Sequence, residues 1–277
     1  MKRDHEVTSR GFRRPFEGVR LRAVAIPVEH GGWGFVIEPL VLGLLIAPSW
    51  GGAMIGLAAV AAFLFRAPLR IWSSDVQHHR EVPRTGAARA FVAIYGSSAA
   101  LLLAGGFLLS GPRAMIPIAA AVPFGLVQLW YDLRTSGRSA IPEILSPVAA
   151  GATLATMILA AGGDPGFAIA LWALYAFRSI PSVLYVRARI RLQRQRSASL
   201  AAPIVSHIVA LAGAIWIYLA GWGSIAAIVA FAILLVRAVA GLSPLRRPVM
   251  PKALGFVEVG YGAMFVIAIA AGFLAGF

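Results

Sequence analysis

Apolar runs of about 20 residues recur from near residue 36 to the C-terminus, separated by short polar or Gly/Pro-rich breaks. A helix needs about that length to cross the hydrocarbon core of a bilayer. The pattern predicts nine helices, at roughly 31–48, 51–68, 89–110, 114–131, 141–161, 166–186, 202–220, 223–241 and 255–276. Pro48-Ser49-Trp50-Gly51-Gly52, Ser110-Gly111-Pro112, Gly162-Gly163-Asp164-Pro165-Gly166 and Gly221-Trp222-Gly223 are turn-forming clusters that mark the cuts.

Composition agrees. Only 13% of the 277 residues are charged and 59% are hydrophobic, with a mean hydropathy of +0.80. A soluble domain carries roughly a quarter charged residues, so lipid is the expected solvent. No stretch between the runs is long enough for a separate soluble domain. The chain has no cysteine, which removes disulfides, thiolate metal sites and a cysteine nucleophile.

The net charge of +14 would suggest nucleic acid in a soluble protein. Here the basic residues flank apolar segments, where they orient the protein and meet anionic headgroups; membrane lipids are the expected partner and nucleic acid is not. With the N-terminus in the cytoplasm, segments 1–30, 69–88, 132–140, 187–201 and 242–254 lie inside. Allowing for residues at helix ends, every Lys and Arg except Arg113 is assigned to that side. The expected fold is therefore an all-α membrane protein of about nine transmembrane helices, N-terminus cytoplasmic and C-terminus outside. Residues 1–25, basic and without an apolar core, read as a disordered cytoplasmic tail, and 26–277 as the polytopic domain.

Five groups could carry chemistry. Pro27-Val28-Glu29-His30-Gly31-Gly32-Trp33 enters the membrane, followed by Glu38, about two turns inside the first span. A Trp at the headgroup level is an ordinary anchor, whereas a membrane-embedded Glu must face protein or be protonated. The loop Arg66–Thr85 carries Asp75, His78 and His79; adjacent histidines project in different directions, so a solvated basic loop is the expected state. Asp132, Arg138 and Glu143 place opposite charges on a cytoplasmic turn.

Arg178, Tyr185 and Arg189 are spaced to share one helix face. A buried arginine demands an anion or a carboxylate, and the guanidinium fork suits phosphate or carboxylate, so Arg178, Arg187 and Arg189 are candidate anion ligands. His207 lies just inside the next helix, where it could transfer a proton. Lys252 and Glu258 follow Arg237, Arg246 and Arg247, and Glu258 needs a cation or a proton, as Glu38 does.

Pro27-x-x-His30-Gly31-x-Trp33, Tyr185-Val186-Arg187 and Lys252-x-x-Gly255-x-x-Glu258 together resemble the YwiC-like family of bacterial membrane proteins. The resemblance implies a multi-pass protein of the bacterial cytoplasmic membrane and no particular cofactor. Nine helices with large cytoplasmic loops 2–3 and 6–7 are also similar in architecture to UbiA-type intramembrane prenyltransferases. Those enzymes hold Mg²⁺ and a prenyl diphosphate with aspartate-rich motifs. Laid on the first motif, this chain keeps Asp75, has His78 at the second aspartate and Val82 at the third; its second loop has arginines instead.

Three functions are expected to compete. One is an enzyme or enzyme relative acting on a lipid-linked anion. There Asp75, His78 or His207 moves a proton, and the substrate is bound by some of His30, Trp33, Glu38, Asp132, Arg138, Glu143, Arg178, Tyr185, Arg187, Arg189, Lys252 and Glu258. Another is a small-anion transporter with Glu38, Arg178 and Glu258 in its pathway, although no clear repeat relates the halves of the chain. The third is an assembly factor whose buried charges pair only for structure.

Overall fold

The computed structural model describes residues 19–27, 30–134, 140–244 and 246–276. Its helices are α1 (Leu21–Ala25), α2 (His30–Ile46), α3 (Trp50–Gln77), α4 (Pro83–Ser110), α5 (Ile116–Arg134), α6 (Ala140–Ala160), α7 (Pro165–Gln193), α8 (Ala201–Leu219), α9 (Ile225–Leu242) and α10 (Pro251–Leu274), with a 3-10 turn at Pro112–Met115. The helices α3 to α10 are long and apolar enough to cross a membrane, and Gly32–Ile46 of α2 is a shorter apolar helix. The described residues contain no strand. The chain is an all-α, multi-pass membrane protein.

The predicted breaks are where helices start. The Ser49 hydroxyl accepts from the Gly52 amide at 3.1 Å and opens α3. Asp164 accepts from the Gly166 and Phe167 amides and precedes Pro165 at the first turn of α7. Ser224 caps α9 through the Ala227 amide. Each hydroxyl or carboxylate satisfies an amide that the first helical turn leaves without a partner. Gly162 and Gly221 turn the chain with φ of 78° and 79°, a region where a Cβ is strained.

Neighbouring helices return alongside one another. The exceptions are α1 to α2, where α1 packs on α3 and α4 instead, and α4 to α5, which meet through the 3-10 turn. The core is built from α6, α7, α8, α9 and α10 with Leu42 of α2, and centres on Leu154, Leu174, Tyr175, Phe231 and Phe265. Helix α2 is wedged between α10, α6 and α3, and so joins the N-terminal side of the bundle to its last helix. Helix α4 packs chiefly on α3 and leaves Leu101 and Leu108 facing outward.

Lipid tails are as apolar as leucine, so helices in a membrane gain by close backbone approach. Small residues supply it: a Cβ on Gly106 of α4 would meet the Ile55 side chain at 2.6 Å and the Gly51 carbonyl at 3.2 Å.

Three expectations need correction. The Arg66–Thr85 region is helical on both sides of a short turn, because α3 continues to Gln77 and α4 begins at Pro83. The segment after 186 remains helical to Gln193. In both places the helix outruns its apolar stretch, because polar side chains also form helix when backbone and side-chain partners are satisfied. The tail expected over 1–25 is cut short as well. Residues 21–25 form α1, whose Val24 is buried against Ala87 and Ala88 of α4; residues 1–18 lie outside the described residues.

Candidate functional site

Helix α2 brings a carboxylate inward beside a break in its own backbone bonding. Pro39 has no N–H, so the carbonyl of Phe35, four residues earlier, lacks its usual helical donor. The Tyr175 hydroxyl of α7 donates to that carbonyl at 2.9 Å. This bond fastens α2 to α7 about one turn from both Glu38 and Arg178.

Glu38 and Arg178 then meet. Arg178 Nη2 donates to Glu38 Oε1 at 3.0 Å, and the two residues are only 8% and 2% exposed. The same nitrogen lies 3.4 Å from the Glu258 backbone carbonyl of α10, and the Phe35 ring centroid is 5.7 Å from the guanidinium carbon. Gly262 makes room for the pair. A Cβ there would sit 2.0 Å from Glu38 Oε1 and 2.7 Å from Arg178 Nη2, so the ion pair rests directly on the α10 backbone.

A second pair lies beside the first. Arg237, the sole charged residue of α9, donates through Nη1 to both carboxylate oxygens of Glu258. Its guanidinium carbon stands 4.2 Å from the Tyr185 ring centroid and 5.2 Å from that of Tyr261, positions that favour a cation. Arg237 Nη2 also reaches His207 Nε2 at 3.0 Å. An arginine can only donate, so Nε2 is the accepting nitrogen. The ring proton is therefore on Nδ1, which donates to the Pro203 carbonyl at 2.6 Å. His207 is neutral in this arrangement.

Glu258 joins the two pairs, by its carbonyl to Arg178 and by its side chain to Arg237. Five helices (α2, α7, α8, α9 and α10) contribute to one buried network with two cations, two carboxylates and a neutral imidazole. Its hydrogen bonding is incomplete. Glu38 Oε2, Arg178 Nε and Arg237 Nε are buried with no hydrogen-bond partner among the described residues. Such atoms each carry a desolvation cost, and they mark this centre as able to hold a further polar group.

The remaining predicted residues divide among separate places. Asp75, 1% exposed, accepts from Arg84 at 3.2 and 2.6 Å and from the Thr85 hydroxyl at 2.8 Å; it ties α3 to α4. His78 ends α3 with its ring on the Ser74 carbonyl, exposed. Asp132 of α5 accepts from Arg66 of α3 at 2.7 and 3.2 Å and from Gln128. Glu143 of α6 pairs with Arg187 of α7, and Arg189 donates to the Arg247 carbonyl. Trp33 packs edge-on to Phe63, centroids 5.1 Å apart. Lys252 is exposed at the start of α10. The His30 side chain and Arg138 lie outside what is described.

Glu38, Arg178, Tyr185, His207 and Glu258 are thus brought together. Asp75 and His78 are not: α3 packs on α1, α2, α4, α5 and α6, whereas α8 packs on α7 and α9. Sequence reasoning gave no role to Arg237 or Gly262. Arg237 was open to the same argument as Arg178, being a lone charge in an apolar run; for Gly262 no signal exists in the sequence.

Eight membrane-length helices around a buried charge network define the class, a polytopic helical membrane protein. Over residues 26–161, from the approach to α2 through α6, the chain is similar to the YwiC-like protein family, whose model matches that segment. The motifs at Tyr185–Arg187 and Lys252–Glu258 lie beyond the matched segment. No curated protein and no solved structure matches the chain.

Proposed function

We propose that this YwiC-like chain is a transporter of a small anion across the bacterial cytoplasmic membrane, with the Glu38–Arg178 and Glu258–Arg237 pairs as its binding centre. One observation carries the reading: two arginines are buried among apolar helices, each held by a single glutamate, with unsatisfied nitrogen and oxygen atoms between them. Intramembrane charges are expensive, and they characteristically line substrate or proton pathways.

The chemistry follows from charge balance. While both carboxylates are ionised the centre is neutral and neither guanidinium is available. A proton on Glu38 or Glu258 removes one negative charge and releases its arginine, which then receives an anion in a two-pronged hydrogen bond. Proton and anion enter together and the centre stays neutral. His207, accepting from Arg237 through Nε2, adds a second proton acceptor: protonated there, it can no longer hold Arg237. The enzyme reading draws less from this geometry, because both oxygens of Asp75 are committed to Arg84 and Thr85.

Purified chain in liposomes, offered radiolabelled acetate, lactate, succinate and phosphate separately, tests the proposal. At least one is expected to enter faster with an inward proton gradient, with Arg178→Gln reducing entry at least about tenfold. No protein-dependent entry of any of the four overturns it.

A further inference from the structure

The rim of the bundle holds a second basic feature, separate from the buried network. A cleft of about 510 Å³ opens between the end of α7 and the start of α8. Arg187 and Arg191 line it, one turn apart on α7, and Ser197 and Ser199 line it from the connection. The connection is folded back onto the helix: Arg191 Nε donates to the Ser197 carbonyl at 2.9 Å. That bond fixes the Arg191 guanidinium by one nitrogen, and its two terminal nitrogens donate to no described residue. Arg187 is held by Glu143 of α6 through Nη1. Arg194 and Arg196 lie a few residues further on, so four arginines stand here against one carboxylate.

The lining is mixed. Leu184, Ala188, Ala202 and Pro203 add apolar surface beside the two arginines. A water occupies about 30 Å³ of liquid, so the volume exceeds what a bare phosphate needs. Arginines beside apolar side chains match a phosphate with hydrocarbon attached. Basic pockets between helices at a membrane face are where anionic headgroups bind, and the planar fork of arginine suits phosphate oxygens.

We propose that the α7–α8 cleft is a phosphate-binding site, with Arg187 and Arg191 as its ligands and Leu184 and Ala202 contacting the carbon chain of a phospholipid when the phosphate is a headgroup. The site shares Pro203 with the transport centre, through the carbonyl that holds His207, but does not depend on what that centre carries.

Full-length chain in phosphatidylcholine nanodiscs, titrated with short-chain phosphatidate and separately with inorganic phosphate, tests it by native mass spectrometry. Saturable binding of phosphatidate is expected, weakened about fivefold by Arg191→Gln, the effect of one arginine near an anionic surface. Ala202→Phe, which fills the cleft and leaves every charge in place, is expected to weaken it at least as much. Arg80→Gln, on the exposed α3–α4 turn, should leave it within twofold. Saturable inorganic phosphate binding with the same variant pattern assigns the site to the free ion. Binding of neither probe, equal losses for the Arg191 and Arg80 variants, or full binding by Ala202→Phe overturns the inference. A melting temperature near that of the parent confirms that each variant is folded.

Discussion

Removing Glu38 alone leaves Arg178 charged, 2% exposed and facing only the Glu258 carbonyl at 3.4 Å. Losing one partner of a buried pair costs about 3–5 kcal/mol. For a chain of this size, each kcal/mol moves the melting temperature by about 2–4 °C, so Glu38→Gln should melt roughly 6–20 °C below the parent. Arg178→Met alone strands the carboxylate, with Tyr175 and Gly262 beside it, and should fall in the same range. The double variant Glu38→Gln/Arg178→Met buries no net charge, and replacing a buried pair by apolar or neutral groups is often nearly neutral. It should melt within about 5 °C of the parent. Thermal unfolding in detergent micelles, followed by fluorescence of the seven tryptophans, measures all four forms. Should the double variant lose the sum of the two single losses, the side chains are not coupled and the network described above is wrong. The same proteins separate function from scaffolding: a double variant with restored stability and no anion entry is expected of a transporter, whereas restored function is expected of a purely structural pair.

Gly262→Ala alters no charge but places a methyl 2.0 Å from Glu38 Oε1; it should lower anion entry at least about tenfold, and unchanged entry would show that the pair does not rest on α10. Asp75→Asn removes a carboxylate that accepts from Arg84 and Thr85. It should weaken the α3–α4 clamp by about 2 kcal/mol, read as at least about tenfold faster tryptic cleavage after Arg80. An alkaline phosphatase fused after Phe277 should be active and a fluorescent protein fused there dark, as nine crossings from a cytoplasmic N-terminus require when the shorter α2 crosses along with α3 to α10; the reverse pair of results refutes the orientation.

The fold was legible because its determinants are local. Run length located the membrane helices, and two residues that interrupt the runs, Ser49 and Asp164, cap α3 and α7, while Ser224, read as helical, caps α9. Where the expectation fell short, it read polarity as loop. Arg70, Ser73 and Asp75 are polar yet helical, because α3 projects beyond its apolar portion and is closed by the Asp75–Arg84 clamp. That clamp is itself within one hairpin, but its pairing depends on the turn at His79, whose φ is 52°, a conformation no charge pattern announces.

The candidate site was legible only in part of its membership, and the reason is the distance over which its parts combine. Cost in lipid singles out Glu38, Arg178 and Glu258 one at a time, but Glu38 and Arg178 are 140 residues apart, and nothing along the chain says which acid faces which base. Packing decides it. Tyr175 binds the carbonyl that Pro39 leaves without a donor, which sets the depth of α2 against α7, and the bare backbone at Gly262 lets α10 approach the resulting pair. With Glu38 taken by Arg178, Glu258 is left for Arg237, and His207 serves as acceptor for the arginine's remaining nitrogen. A proline, a tyrosine and a glycine, none of them charged, thus choose the partners of four charged residues. The pairing should therefore be more sensitive to Tyr175 and Gly262 than to any arginine on the rim.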